Sequence, residues 1–139
     1  MKLWKKINPN SQCYVIDPVC EDIDGEVIDG INIVGKFFEN IDLREISPNV
    51  VVCRHTLEHI IDPLRVLKDL IEKTEQNTIF VFEVPSYESM IEGHRFDTIF
   101  HQHLNYFSVD TFSNMIIQCG GQVLDYEINH QGSCGGSLM

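Results

Sequence analysis

The chain has 139 residues, 43% of them apolar, which suits one domain with a single buried core. A formal net charge of -11, from 10 basic against 21 acidic residues, repels phosphate backbones and excludes nucleic acid as an expected partner. Cys13, Cys20, Cys53, Cys119 and Cys134 form no CxxC pair and are odd in number, so neither a zinc module nor a disulfide framework is predicted and a reducing cytoplasm is expected.

Leu3, Trp4 and Ile7 predict the end of a helix, stopped by Asn8-Pro9-Asn10. The basic start is followed by no long apolar run, so it is not read as a secretory signal, and no stretch approaches the ~20 residues of a membrane span. Cys13–Ile16 reads as a buried strand ending at Asp17-Pro18. Residues 19–30 read as an acidic loop with at most one helical turn. A second strand follows at 31–34, then Gly35 and the pair Phe37-Phe38. Residues 49–53 are almost continuously apolar, the mark of a parallel strand buried on both faces, with Cys53 as a small buried hydrophobe. Asp62 caps a helix with Pro63 at its first position and Leu64, Leu67, Leu70 and Ile71 at helical spacing. Residues 78–83 predict the next buried strand, leading into Pro85. Residues 86–107 are rich in aromatics and histidines and have no clean period, a frequent sign of function. Ser108 caps a helix carrying Val109, Phe112, Met115 and Ile116 and ending at Gly120-Gly121. Residues 122–128 alternate as a strand, 132–136 predict a turn, and 137–139 the start of one more strand. Short strands alternating with amphipathic stretches predict an α/β sheet.

Three segments together resemble class I S-adenosylmethionine (SAM)-dependent methyltransferases, and within them the sugar C-methyltransferase group. Residues 50–59, Val-Val-Val-Cys-Arg-His-Thr-Leu-Glu-His, with Ile-Ile-Asp-Pro63 after them, resemble that family's fourth strand and the H-x-L-E-H and D-P loop. Residues 79–85, Ile-Phe-Val-Phe-Glu-Val-Pro, resemble its fifth strand. Residues 96–108, Phe-Asp-Thr-Ile-Phe-His-Gln-His-Leu-Asn-Tyr-Phe-Ser, resemble the lid of enzymes that methylate a carbon of a nucleotide-linked keto-sugar. Gly135-Gly136-Ser137 resembles the entry to the family's C-terminal substrate domain. The resemblance implies an incomplete Rossmann-like class I methyltransferase domain over 1–139, a mostly parallel sheet with helices on both faces. The family's first strand, its G-x-G-x-G loop and most of its substrate domain have no counterpart in this sequence. The absent strand predicts a gap, or a non-family partner, between the strands at 13–16 and 49–53.

The resemblance also assigns roles. Asp17, at the end of a strand, suits the two ribose hydroxyls of SAM, because two acceptor oxygens match two donors; the plainer reading is that Asp-Pro merely ends the strand. Phe38 or its neighbour Phe37 is a candidate to stack on adenine, against a purely core role. Arg54 and His55 lie just past a central strand, where open α/β sheets bind ligands. Glu58 and His59 are expected to hydrogen-bond within the fold. His103 falls on the position of the lid histidine, the base that removes a proton from the carbon to be methylated; the alternative is a histidine bonded to a neighbour, and His101 is its competitor. Gln102 replaces the family's glutamate and loses its charge, and Phe100 replaces a tyrosine. Tyr106 and Phe107 are expected to anchor the lid, and Tyr87, Glu88 and Arg95 to line the substrate side. No metal site is expected from His94, His101 and His103.

The expected cofactor is SAM, held weakly without the glycine loop, and the expected partner a small molecule of the sugar-nucleotide class. A homo-oligomer or a missing complementary chain is expected to cover open strand edges. The runner-up is a catalytically inactive methyltransferase remnant that acts through another chain. A nicotinamide-dependent Rossmann enzyme shares the acid after the second strand and lacks the lid.

Overall fold

The computed structural model describes residues 1–130 and 136–139. Cys134 and most of the turn predicted at 132–136 lie outside the described residues. The chain divides into two compact units, residues 1–42 and 43–139.

The first unit opens with helix α1 (Lys2–Ile7), whose Asn8 cap precedes Pro9. Strand β1 (Cys13–Ile16) pairs in parallel with β3 (Ile31–Val34), from Cys13↔Ile31 to Ile16↔Val34. Alternate residues Cys13, Ile31 and Ile33 form the buried core, with Val15, Cys20 and Ile23 packed against it. The stretch read as a loop contains more order than that. Pro18–Ile23 is a 3-10 helix, and Val27–Ile28 is a short strand, β2, antiparallel to β3. The hairpin closes through Asp29 and Gly30, both at positive φ (53° and 75°), the geometry for which Asp-Gly is favoured. At Gly35 a Cβ would lie 2.5 Å from the Cys20 carbonyl oxygen, so only glycine allows this close passage.

In the second unit, short helix α2 (Leu43–Ile46) leads into β4 (Val50–Arg54), which pairs in parallel with β5 (Ile79–Pro85) from Val50↔Ile79 to Arg54↔Glu83. The connection is α3 (Pro63–Glu72). The Asp62 carboxylate accepts from the Arg65 N–H at 3.1 Å, as the sequence predicts for a cap with proline at the first position. Val66, Leu67 and Leu70 are buried on one face of this helix, each contributing roughly 1.5–3 kcal/mol of apolar transfer energy.

After β5 the chain makes α4 (Tyr87–Glu92) and a 3-10 turn at Phe96–Thr98, inside the stretch that showed no period. Helix α5 (Val109–Gln118) starts at a capping box between Ser108 and Thr111. Its Phe112 meets Phe107 at 5.2 Å and the edge of Phe82 at 5.6 Å between ring centroids. Strands β6 (Ile128–Asn129) and β7 (Ser137–Leu138) complete a sheet of order β4-β5-β7-β6.

Three expectations need correction. Strand β4 is not buried on both faces: Val50 and Val52 are 45% and 59% exposed and Cys53 is only half-buried, because apolar composition sets what a strand can bury and only a covering neighbour buries it. The sheets are mixed, not mostly parallel: β2–β3, β5–β7 and β6–β7 are all antiparallel. Short hairpin-like pairings favour that direction, and apolar alternation does not encode it. The strand expected at 122–128 is reduced to Ile128–Asn129. Residues 122–127 run beside β5 without a ladder partner except at Glu127, which pairs through its backbone with Met139. Among the described residues, β1 pairs with β3 alone and β4 with β5 alone.

Candidate functional site

The parallel β4–β5 pair ends at Arg54 and Glu83, and each strand then turns sharply. His55 takes a left-handed backbone (φ 48°), uncommon for a residue with a Cβ, and its N–H donates to the Glu83 carbonyl at 2.8 Å. That turn sends residues 57–59 into a 3-10 helix. Leu57 is fully buried there, which fixes the flanking Glu58 and His59. The segment 102–107 is laid over this turn by backbone bonds. Leu104 and Asn105 N–H donate to the Glu58 carbonyl, the Asn105 side chain donates to Leu57 and Ile60 carbonyls, and the His59 Nδ1–H donates to the Gln102 carbonyl at 2.8 Å. Phe107 bridges to Ser86 just beyond β5. His103 therefore sits past the carboxyl ends of both strands, in the zone where open α/β sheets bind ligands.

The Glu58 carboxylate is the deepest charge here, 1% exposed. Its Oε1 lies 3.6 Å from His55 Nδ1 and 3.7 Å from His59 Nε2, and donor atoms of Glu58, His59 and His103 all lie within 4.8 Å of one another. None of these separations is a hydrogen bond. Glu58 Oε2, both His55 ring nitrogens and His103 Nδ1 are buried without a partner. The His103 ring packs 4.1 Å from Phe100 and 5.1 Å from His59 between centroids, with Tyr106 at 6.2 Å. Burial holds the His103 imidazole below its ordinary pKa. The charges of His59 and His55 act in the same sense, while Glu58 and the Thr98 backbone oppose them. The lone pair needed for proton abstraction is thus available at neutral pH.

The other singled-out residues divide clearly. Asp17 is exposed and its Oδ1 accepts from Val19 N–H at 2.9 Å, so strand-ending turn chemistry is realised and uses one oxygen. Phe38 is half-buried and Phe37 is 61% exposed. Both belong to the first unit with Asp17, whereas Arg54, His55, Gln102 and His103 belong to the second. The exposed Arg54 guanidinium pairs with Glu83, whose carboxylate it pulls below the usual range. The Gln102 side chain is on the surface, and its main chain is what reaches His59. Phe107 is buried, as expected of an anchor, and Tyr106 is half-buried. Glu88 is taken up internally, accepting from Val109 N–H at 2.8 Å and Ser86 Oγ at 3.1 Å. Arg95 forms a two-pronged pair with Asp97 at 2.9 Å for each bond, and Tyr87 is exposed. His101 is exposed and His94 sits at positive φ (52°), exposed as well.

Glu58 and His59 were expected to hydrogen-bond within the fold, and His59 does so, but the closeness of the Glu58 carboxylate to His103 was missed. The available signal was the run His55-x-x-Glu58-His59, which sets an acid between two imidazoles. The chain belongs to the methyltransferase-domain family, whose model matches residues 2–125. That membership implies SAM as the methyl donor. The chain is also similar to the C-methyltransferase NovU of Streptomyces niveus, at 30% identity over 101 residues, which cover 73% of this chain and 24% of that protein. The chain thus spans about a quarter of the length of the curated relative it matches. Among the described residues, no helix is long and apolar enough to cross a membrane.

Proposed function

We propose that this chain takes part in transferring a methyl group from SAM to a carbon of a nucleotide-linked keto-sugar, with His103 as the base. The observation that carries this reading is the position of His103. Its buried ring nitrogen, with no hydrogen-bond partner, lies beyond the carboxyl ends of β4 and β5, against an aromatic wall. The similarity to a C-methyltransferase supports carbon as the acceptor.

Bound SAM supplies an electrophilic methyl carbon. The protein's part is to generate the nucleophile. His103 would accept the proton from the carbon next to the ketone, and the electron pair left on that carbon would form the new bond to the methyl group as the methyl–sulfur bond breaks, its electron pair staying on the sulfur of the departing thioether. Gln102 is proposed to reach substrate oxygens through its amide, since it has no charge to lend. The Glu58 carboxylate supplies the negative charge near the imidazole that the lid itself lacks. Asp17 suits the ribose hydroxyls and Phe38 the adenine face. The unpartnered ring nitrogens of His55 suit a polar part of the cofactor, and Arg54 suits an anionic one.

The base is tested apart from the transfer. In deuterated buffer without SAM, the chain should speed exchange of the proton next to the ketone of a nucleotide-linked keto-sugar. His103→Gln should lower that rate by roughly 10²–10⁴-fold. Equal exchange in both proteins removes His103 from the reaction.

A further inference from the structure

The carboxylate of Glu58 poses a problem that its protein neighbours do not solve. A buried ionised carboxylate is costly unless paired and hydrogen-bonded. The arginine nearest in sequence, Arg54, is committed to Glu83. The histidines stand too far away for direct bonds, and one carboxylate oxygen has no partner. We propose that Glu58, His59 and His103 form a binding site for a divalent transition-metal ion, zinc above all, and that the bound ion withdraws His103 from catalysis.

Four features favour an ion. Two imidazoles and one carboxylate are a common donor set for zinc, with a fourth position left for water. The three donor atoms already lie within 4.8 Å of one another, and the Glu58–His59 pair is at 3.7 Å. Zinc bonds of about 2.0–2.2 Å put tetrahedral donor atoms ~3.4 Å apart, near the Glu58–His59 separation, and side-chain rotation of His103 would have to close the rest. The His59 Nδ1–H donates to the Gln102 carbonyl, which leaves Nε2 with its lone pair toward Glu58. Metal-binding histidines are typically held by such a bond. Finally, the His59 side chain is 42% exposed, which provides an entry path.

The site is independent of methyl transfer, but its consequence rests on that reading. A metal bond to His103 occupies a lone pair of the base, so zinc inhibits any transfer that requires it. The experiment is zinc titration into the purified chain by calorimetry, in a buffer that does not chelate, without SAM or substrate. One zinc per chain is expected. Glu58→Gln should weaken binding by at least about tenfold, the size of loss that outer-shell changes alone can produce. Because Glu58 is buried and its replacement can unfold the chain, exposed His59→Gln serves as the second variant with the same expected loss. Cobalt replacing zinc should give visible ligand-field bands without a near-ultraviolet thiolate band, since no cysteine takes part. The proposal is overturned if zinc does not bind one-to-one, if folded variants bind it as tightly as the parent chain, or if the thiolate band appears. None of these outcomes bears on whether SAM binds.

Discussion

Glu83 shows how one side chain can link the strand ends to solution conditions. Its carboxyl is held low first by the hydrogen bond from Arg54, with burial opposing and Ser137, Arg54 charge and His55 assisting. A carboxylate whose folded value lies below its unfolded value stabilises the fold fully above the unfolded value. That contribution is lost as the pH falls through the folded value. Urea midpoints should therefore fall on acidification below the ordinary glutamate range of ~4.3. Arg54→Met should flatten that dependence. The difference should shrink in high salt, because the guanidinium is exposed and screened. An unchanged acid limb in Arg54→Met would show that the pair contributes nothing. Single-residue chemistry was only half visible from sequence. Asp62 was legible because capping is local, whereas the turn at Asp17 was only the alternative to a ribose role. The meeting of Glu58 with His103 was not, because 45 positions of chain separate them and only the fold closes that distance.

Among the elements, the bounds of those with a local apolar pattern were legible: β1, β3, β4, β5, α3 and α5 all stand within about two residues of expectation, although β4 is far more exposed than its apolar run suggested. The hairpin at 27–34 was missed although Asp29-Gly30 between apolar pairs announces it, because the acidic flanks were given more weight. The 122–128 stretch failed for a different reason. Alternation makes a strand only where a neighbour supplies a ladder, and β7 reaches only the end of this segment. The result is a groove of about 1050 Å³ between the outer edge of β5 and residues 122–127, with Phe80, Phe82, Phe112 and Leu124 among its walls. Ile79 N–H donates to Asn49 across β4, and in a parallel ladder every second amide follows it. The amides of Phe80 and Phe82 therefore point into the groove. Hydrogen exchange should be fast at Phe80 and Phe82 and slow at Ile79 and Val81. Uniform protection from 79 to 83 would mean that the far edge is covered in solution, which is what the partner-dependent reading of this chain requires.

At the scale of the molecule, residues 1–42 carry Asp17 and Phe38, and residues 43–139 carry Arg54, His55, Gln102 and His103. The family assignment covers both, over residues 2–125. Mixed sheet directions in place of a mostly parallel sheet do not disturb the one pairing that the site needs, β4 beside β5 with the same direction. The claim on which the functional account depends is that this chain holds SAM, and calorimetric titration of SAM tests it directly. The account predicts saturable one-to-one binding that is weakened in Asp17→Asn, a change that keeps the cap on Val19 and alters the carboxylate offered to the ribose. Absence of heat up to millimolar SAM, or equal affinity in Asp17→Asn, would contradict it.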